Sequence, residues 1–180
     1  KSLHDAGISV VVSAGNDRND EITDRVPARF PDVMAIASST ALGGGNNAKG
    51  QCRSLLIEAD TASYFTADGA GVTISAPGAS HENIAKGCFI EGVGIESLNL
   101  GGGTVRMSGT SMAAPHVAGV VALMWDKADD TGAVLDPEAA RNRIHNNADR
   151  TGIAPLDSLV GGYTFDQVRE GILDVAGALK

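Results

Sequence analysis

Basic residues are in short supply. Fourteen Lys and Arg stand against 22 Asp and Glu, no basic run occurs, and the net charge is -8. Phosphate neutralisation needs clustered cations, so nucleic acid and anionic membrane surfaces are excluded as partners. Cysteine is limited to Cys52 and Cys88, which form no C-x-x-C pair; a cysteine metal site or dithiol redox motif is thereby excluded, while a bridge and two separate thiols both stay open. No apolar run approaches the length of a membrane span, and the opening "KSLHDAGISV" lacks the charged, apolar and small-residue order of a secretory leader. This start reads as internal. Aromatics make up only 4%, whereas apolar residues reach 43% and glycines number 23, the balance of a compact α/β protein with many tight turns rather than a disordered chain. A length of 180 residues suits one domain with a core of its own.

Residues 1–6 read as a last helical turn stopped by Gly7, followed by the β-branched run "ISVVVSAGN", a strand with both faces buried. "VMAIASS" (33–39) and "VTISAPG" (72–78) repeat the type, as in parallel sheets covered by helices; their adjacency is left open. "RSLLIEADTASYFT" offers an edge strand or hairpin, and the alternation within residues 79–103 predicts an ordered, hairpin-like excursion. From Ser111 onward Val117, Val120, Val121 and Met124 recur at helical spacing, predicting a mostly buried helix. Asp136-Pro137-Glu138 starts another helix, with Asp136 as cap and Pro137 at its first position, and "DVAGALK" suggests a last short one.

The richest stretch is "SGTSMAAPHVAG", residues 108–119. A serine hydroxyl is a poor nucleophile until a base takes its proton, and its attack builds an oxyanion that needs waiting donors. Gly109 permits a close-packed turn, and Ser111 begins the helix where N–H groups lack intrahelical partners and the dipole favours negative charge. Pro115, if it falls in the first turn, removes only an N–H without a partner. On G-T-S alone, an N-cap role for Ser111 or Thr110 is the plainer reading, and Asn16 alone is an ordinary turn asparagine. The G-x-S-x-G elbow of α/β hydrolases is absent, because Ala113 holds its last position; an esterase reading would need that elbow.

Taken whole, "GTSMAAPHVAG" resembles the active-serine signature of the subtilisin-like serine proteases. "GISVVVSAGND" is similar to the family strand that ends in the oxyanion asparagine, "ARFPDVMAIASS" to the strand after it, and "TISAPG" to the strand before the serine loop. "REGILDVAGAL" is the weakest match. The resemblance implies a three-layer α/β/α fold with a mostly parallel sheet, and a serine endopeptidase acting on polypeptide substrates. It implies Ser111 as nucleophile and Asn16 as oxyanion donor, with Ser13, Ala14, Gly15, Arg25, Ser108, Gly109 and Thr110 around the substrate. Arg25 aligns with the floor of the pocket for the side chain before the scissile bond, favouring acidic or polar residues there.

In the family the order is Asp, His, Ser, with the acid and base upstream of the strand carrying the asparagine. Residues 1–180 thus read as the C-terminal portion of the catalytic domain, incomplete without the N-terminal half, which is the expected partner. Alone, the fragment is expected to be inactive and, with an exposed sheet edge, prone to oligomerise. The alternative is a non-catalytic fragment serving as a binding or assembly module. His4 and His145 sit on helices without triad context, and His116, five residues beyond Ser111, reads as a packed structural histidine; His81 lies in the long loop, outside any matching motif. Two excursions, 43–57 and 86–103, lengthen the family spacing and carry one cysteine each. A Cys52–Cys88 bridge between them is the expectation, consistent with secretion. No organic cofactor is implied. Relatives bind calcium through oxygen ligands, but the acidic loop 16–24 reads first as a solvated loop.

Overall fold

Strands β1 (Val11–Ser13), β2 (Met34–Thr40) and β3 (Val72–Ala79) form one parallel sheet, in that order, in the computed structural model, whose described residues are 1–160 and 166–180. The second and third apolar runs are therefore neighbours, with Ile36 opposite Ile74. Every residue of β2 is buried, as its unbroken run of small and apolar side chains requires. β1 departs from expectation. It is three residues long and only half-buried, because it forms the edge of this sheet among the described residues.

Helix α1 (Ser2–Asp5) ends ahead of Gly7, which takes a left-handed φ of +79°. Helix α2 (Thr110–Thr131) crosses the sheet and supplies Val117, Val120, Val121 and Met124 to a core shared with Met34, Ile36 and Ile74. Burying each large aliphatic side chain stabilises the fold by about 1.5–3 kcal/mol. The helix is not mostly buried, however: seven of its 22 residues face inward, and Leu123, off that stripe, is exposed. Pro115 is the sixth helical residue, not part of the first turn, and its ring removes the N–H that would otherwise pair with the Ser111 carbonyl.

Helix α3 (Pro137–Asn146) starts as read, with the Asp136 carboxylate accepting the Ala139 N–H at 2.7 Å. It packs with α4 (Val175–Ala178) on the α2 side. The opposite face of the sheet holds Val12, Ala35, Ala37 and Val72 against Ala14, Ala28 and Ile22, so a short turn, Ile22–Asp24, covers it.

The excursion after β3 is two antiparallel hairpins: β4 (His81–Ile84) with β5 (Ile90–Val93), and β6 (Ile95–Leu98) with β7 (Thr104–Met107). The hairpin expected within 53–66 is not formed. After the turn Gly50–Ser54, the chain makes only single bridges, Ala62 to Ser39 and Thr61 to Leu156, because its partners are distant in sequence. Cys52 and Cys88 are disulfide-bonded with Cα atoms 5.7 Å apart, tying that turn to the β4–β5 hairpin.

Candidate active site

The serine loop is fixed by a close backbone approach. Gly109 N–H donates to the Gly78 carbonyl at the end of β3, 2.9 Å away, and a Cβ on Gly78 would lie 2.6 Å from the Gly109 oxygen and 2.2 Å from Ser38 Oγ. Only glycine fits there. α2 then begins at Thr110, so Ser111 occupies its first turn, exposed, with an N–H that has no carbonyl four residues back within the helix.

Asn16, just beyond β1, lies against the same turn. Its Oδ1 accepts both the Thr110 N–H and the Thr110 hydroxyl, each at 2.9 Å, and the Thr110 Oγ1 in turn accepts the Gly15 N–H at 3.2 Å. With its oxygen engaged, the amide presents its N–H₂ end; a Cβ on Gly109 would sit 3.2 Å from Asn16 Nδ2. Thr110 itself is buried. It touches Asn16 and Gly15 and orients the amide.

Ser111 and Ala114 share an open cleft of about 530 Å³ with Ser13, Ala14, Gly15 and Arg25. Arg25 Nη2 pairs with Asp20 at 2.5 Å and Asp17 at 3.4 Å, while its buried Nε has no hydrogen-bond partner. Two carboxylates of the acidic loop are thus drawn to a guanidinium. Ser108 is exposed beside the turn, outside the residues that line this cleft.

Among the described residues no histidine hydrogen-bonds Ser111. His116 is exposed rather than packed: its Nδ1–H donates to the Met112 carbonyl at 2.8 Å, and its ring borders a second cavity of about 300 Å³ with Ser111, Met112, Ile95 and Glu96. The β6 strand therefore walls one side of the serine, which sequence periodicity alone gives no means of seeing. His81 Nδ1 lies 3.4 Å from Ser80 Oγ, His145 borders a cavity with Arg141 and Thr73, and His4 stays on α1 near Asp5.

Nothing in the sequence singles out Glu82 on β4, yet it is 1% exposed. Its Oε1 accepts the Tyr64 N–H at 3.1 Å. Burial pushes its pKa up to about 7, with the Tyr64 hydrogen bond pulling the other way. The folded state therefore holds this proton more tightly than the unfolded chain. That contribution to stability is complete below the ordinary value of 4.5 and is lost as pH rises through about 7. Glu82→Gln keeps the acceptor and removes the charge. Thermal melts should show a higher Tm than the parent at about pH 8 and no difference at about pH 4.

The sequence matches the Subtilase family, peptidase S8, over residues 1–162. This chain belongs to the subtilase family of serine proteases. The subtilase chain is 34% identical over 144 residues to a subtilisin-like protease of Coccidioides posadasii, covering 80% of this chain and 28% of that protein. It is 33% identical over 148 residues to a protein of Xanthomonas campestris pv. campestris named extracellular protease, covering 79% of this chain and 20% of that one. Among solved structures, a protease from Pseudoalteromonas arctica shares its fold with a TM-score of 0.68 at 24% identity, over 99% of this chain and 44% of that chain. The subtilase segment thus spans less than half the length of each of these relatives. No helix of the described residues is long and apolar enough to cross a membrane.

Proposed function

We propose that residues 1–180 are the C-terminal portion of a subtilisin-like serine endopeptidase domain. Ser111 attacks the scissile carbonyl to form an acyl-enzyme. The developing oxyanion is held by Asn16 Nδ2 and the Ser111 N–H, and a His and an Asp from the N-terminal half of the same domain take and stabilise the proton. One observation carries the reading: Ser111 stands at the start of α2 on the cleft of Gly15, beside an asparagine whose amide oxygen is doubly held by Thr110. The donor end is left for the substrate.

Within this reading Ser13, Ala14 and Gly15 receive the substrate backbone on one side of Ser111, and Ser108 and Gly109 frame the turn. Arg25 sets the side-chain pocket. Its buried, unpartnered Nε–H favours side chains carrying an acceptor oxygen, because an unmet buried donor is costly. The disulfide and the relative named extracellular protease support secretion. No organic cofactor takes part, and a polypeptide is the substrate. The half-buried edge strand β1 is where the N-terminal half would dock, and an isolated fragment would self-associate there.

Casein digestion tests this. The complete protein should release new peptide N-termini, and residues 1–180 alone should release none. A complete protein that is stable, folded and without any peptidase activity would favour the reading as a binding or assembly module.

A further inference from the structure

Away from the serine, three carboxylates converge. Asp68, Asp166 and Glu170 each bring an oxygen within 4.8 Å of the others. Asp68 precedes β3, whereas Glu170 lies on the C-terminal segment that runs beside β3, where Ser75 N–H donates to Gly171 O at 3.1 Å and Leu173 N–H to Ser75 O at 2.9 Å. Those bonds hold in place the segment that carries Glu170. Asp68 is fully buried and Glu170 is 3% exposed, and Glu170 Oε2 has no hydrogen-bond partner.

A buried, unpartnered carboxylate oxygen facing two further carboxyl groups needs a positive charge or a proton. The neighbouring guanidinium, that of Arg169, acts on Glu170 through space and also binds Asp157 Oδ1 at 2.8 Å and the Pro155 carbonyl. The donor set is all oxygen, with no His or Cys in the group. That composition suits a hard divalent cation and not zinc. Two oxygens on opposite sides of Ca²⁺ stand about 4.8 Å apart at a Ca–O distance of about 2.4 Å. The carboxylates lie within that span. Mg²⁺, with its shorter bonds and retained waters, fits an all-protein carboxylate group less well.

We infer that Asp68, Asp166 and Glu170 form a calcium site that fastens the C-terminal segment to the loop leading into β3. The site goes beyond the peptidase reading and does not depend on it. It also differs from the acidic loop 16–24, where Arg25 already occupies Asp17 and Asp20. Its reach extends to the cleft, because Ala67, next to Asp68, donates its N–H to Gly15 O at 2.9 Å, and Asp68 O accepts the Ile22 N–H at 2.9 Å.

The test compares the complete protein with its Glu170→Gln and Asp166→Asn variants, counting bound calcium by equilibrium dialysis and recording melts in CaCl₂ and in EDTA. The parent should bind one calcium more than either variant, or bind it at least about 10–100-fold more tightly, the scale on which even outer-sphere partners act. Its Tm should rise with CaCl₂ more than that of either variant. Asp166 is only partly buried, so Asp166→Asn remains informative if Glu170→Gln does not fold. Equal calcium binding by parent and folded variants, or a parent Tm indifferent to CaCl₂ and EDTA, would overturn the inference and leave Glu170 as a protonated carboxyl.

Discussion

Ser111→Ala in the complete protein is expected to lower kcat on a peptide anilide by about 10⁶-fold with KM little changed, the scale known for the nucleophile of subtilisin itself. The expectation rests on position. Ser111 is exposed in the first turn of α2, where its N–H lacks an intrahelical partner and the helix dipole favours the charge that forms on attack. Alanine preserves the helix start, so the variant should melt with the parent. A residual rate within about tenfold of the parent would place the nucleophile elsewhere.

Asn16→Ala should cost about 10²–10³-fold in kcat, the range found for the equivalent donor in subtilisin. The loss belongs to the transition state, because a tetrahedral oxyanion meets the amide and a ground-state carbonyl does not. Asn16→Asp sharpens the test. A carboxylate can still accept both Thr110 hydrogen bonds at the places now filled by Asn16 Oδ1, but it has no N–H to offer and adds negative charge beside the oxyanion. Its kcat should fall at least as far as that of Asn16→Ala. Retained activity in Asn16→Asp would mean that Asn16 holds the turn together and does not act as a donor.

What can be read from the sequence follows from how local each signal is. The apolar stripe Val117, Val120, Val121, Met124, the Asp136-Pro137 start and the runs of β2 and β3 are decided by neighbours a few residues away. They appear in the structure close to where the pattern puts them. The serine motif likewise marks the start of α2. The run at β1 overstates its burial, which depends on what lies beside the sheet and not on the run itself. The hairpin expected in 53–66 fails for a related reason, since Thr61 finds its partner at Leu156. His116 shows the limit of reading an apolar helix as a packed one: its position lies off the inward stripe and is open to solvent.

The charged positions are the least legible. Glu82 and Glu170 stand among polar and apolar neighbours like any surface glutamate, and only folding buries them. Asp68 and Glu170 meet across more than half the chain, and no spacing rule connects them. Resemblance places Arg25 at the floor of a pocket; its ion pairs with Asp17 and Asp20 come from the path of a single acidic loop.

The most direct test of the account is covalent labelling of the complete protein with a fluorophosphonate, followed by digestion and mass spectrometry. The adduct should sit on Ser111 alone, should form rapidly, and should be absent from Ser111→Ala. Labelling at another serine, or none at Ser111 in a protein that digests casein, would contradict the assignment of Ser111 as the nucleophile.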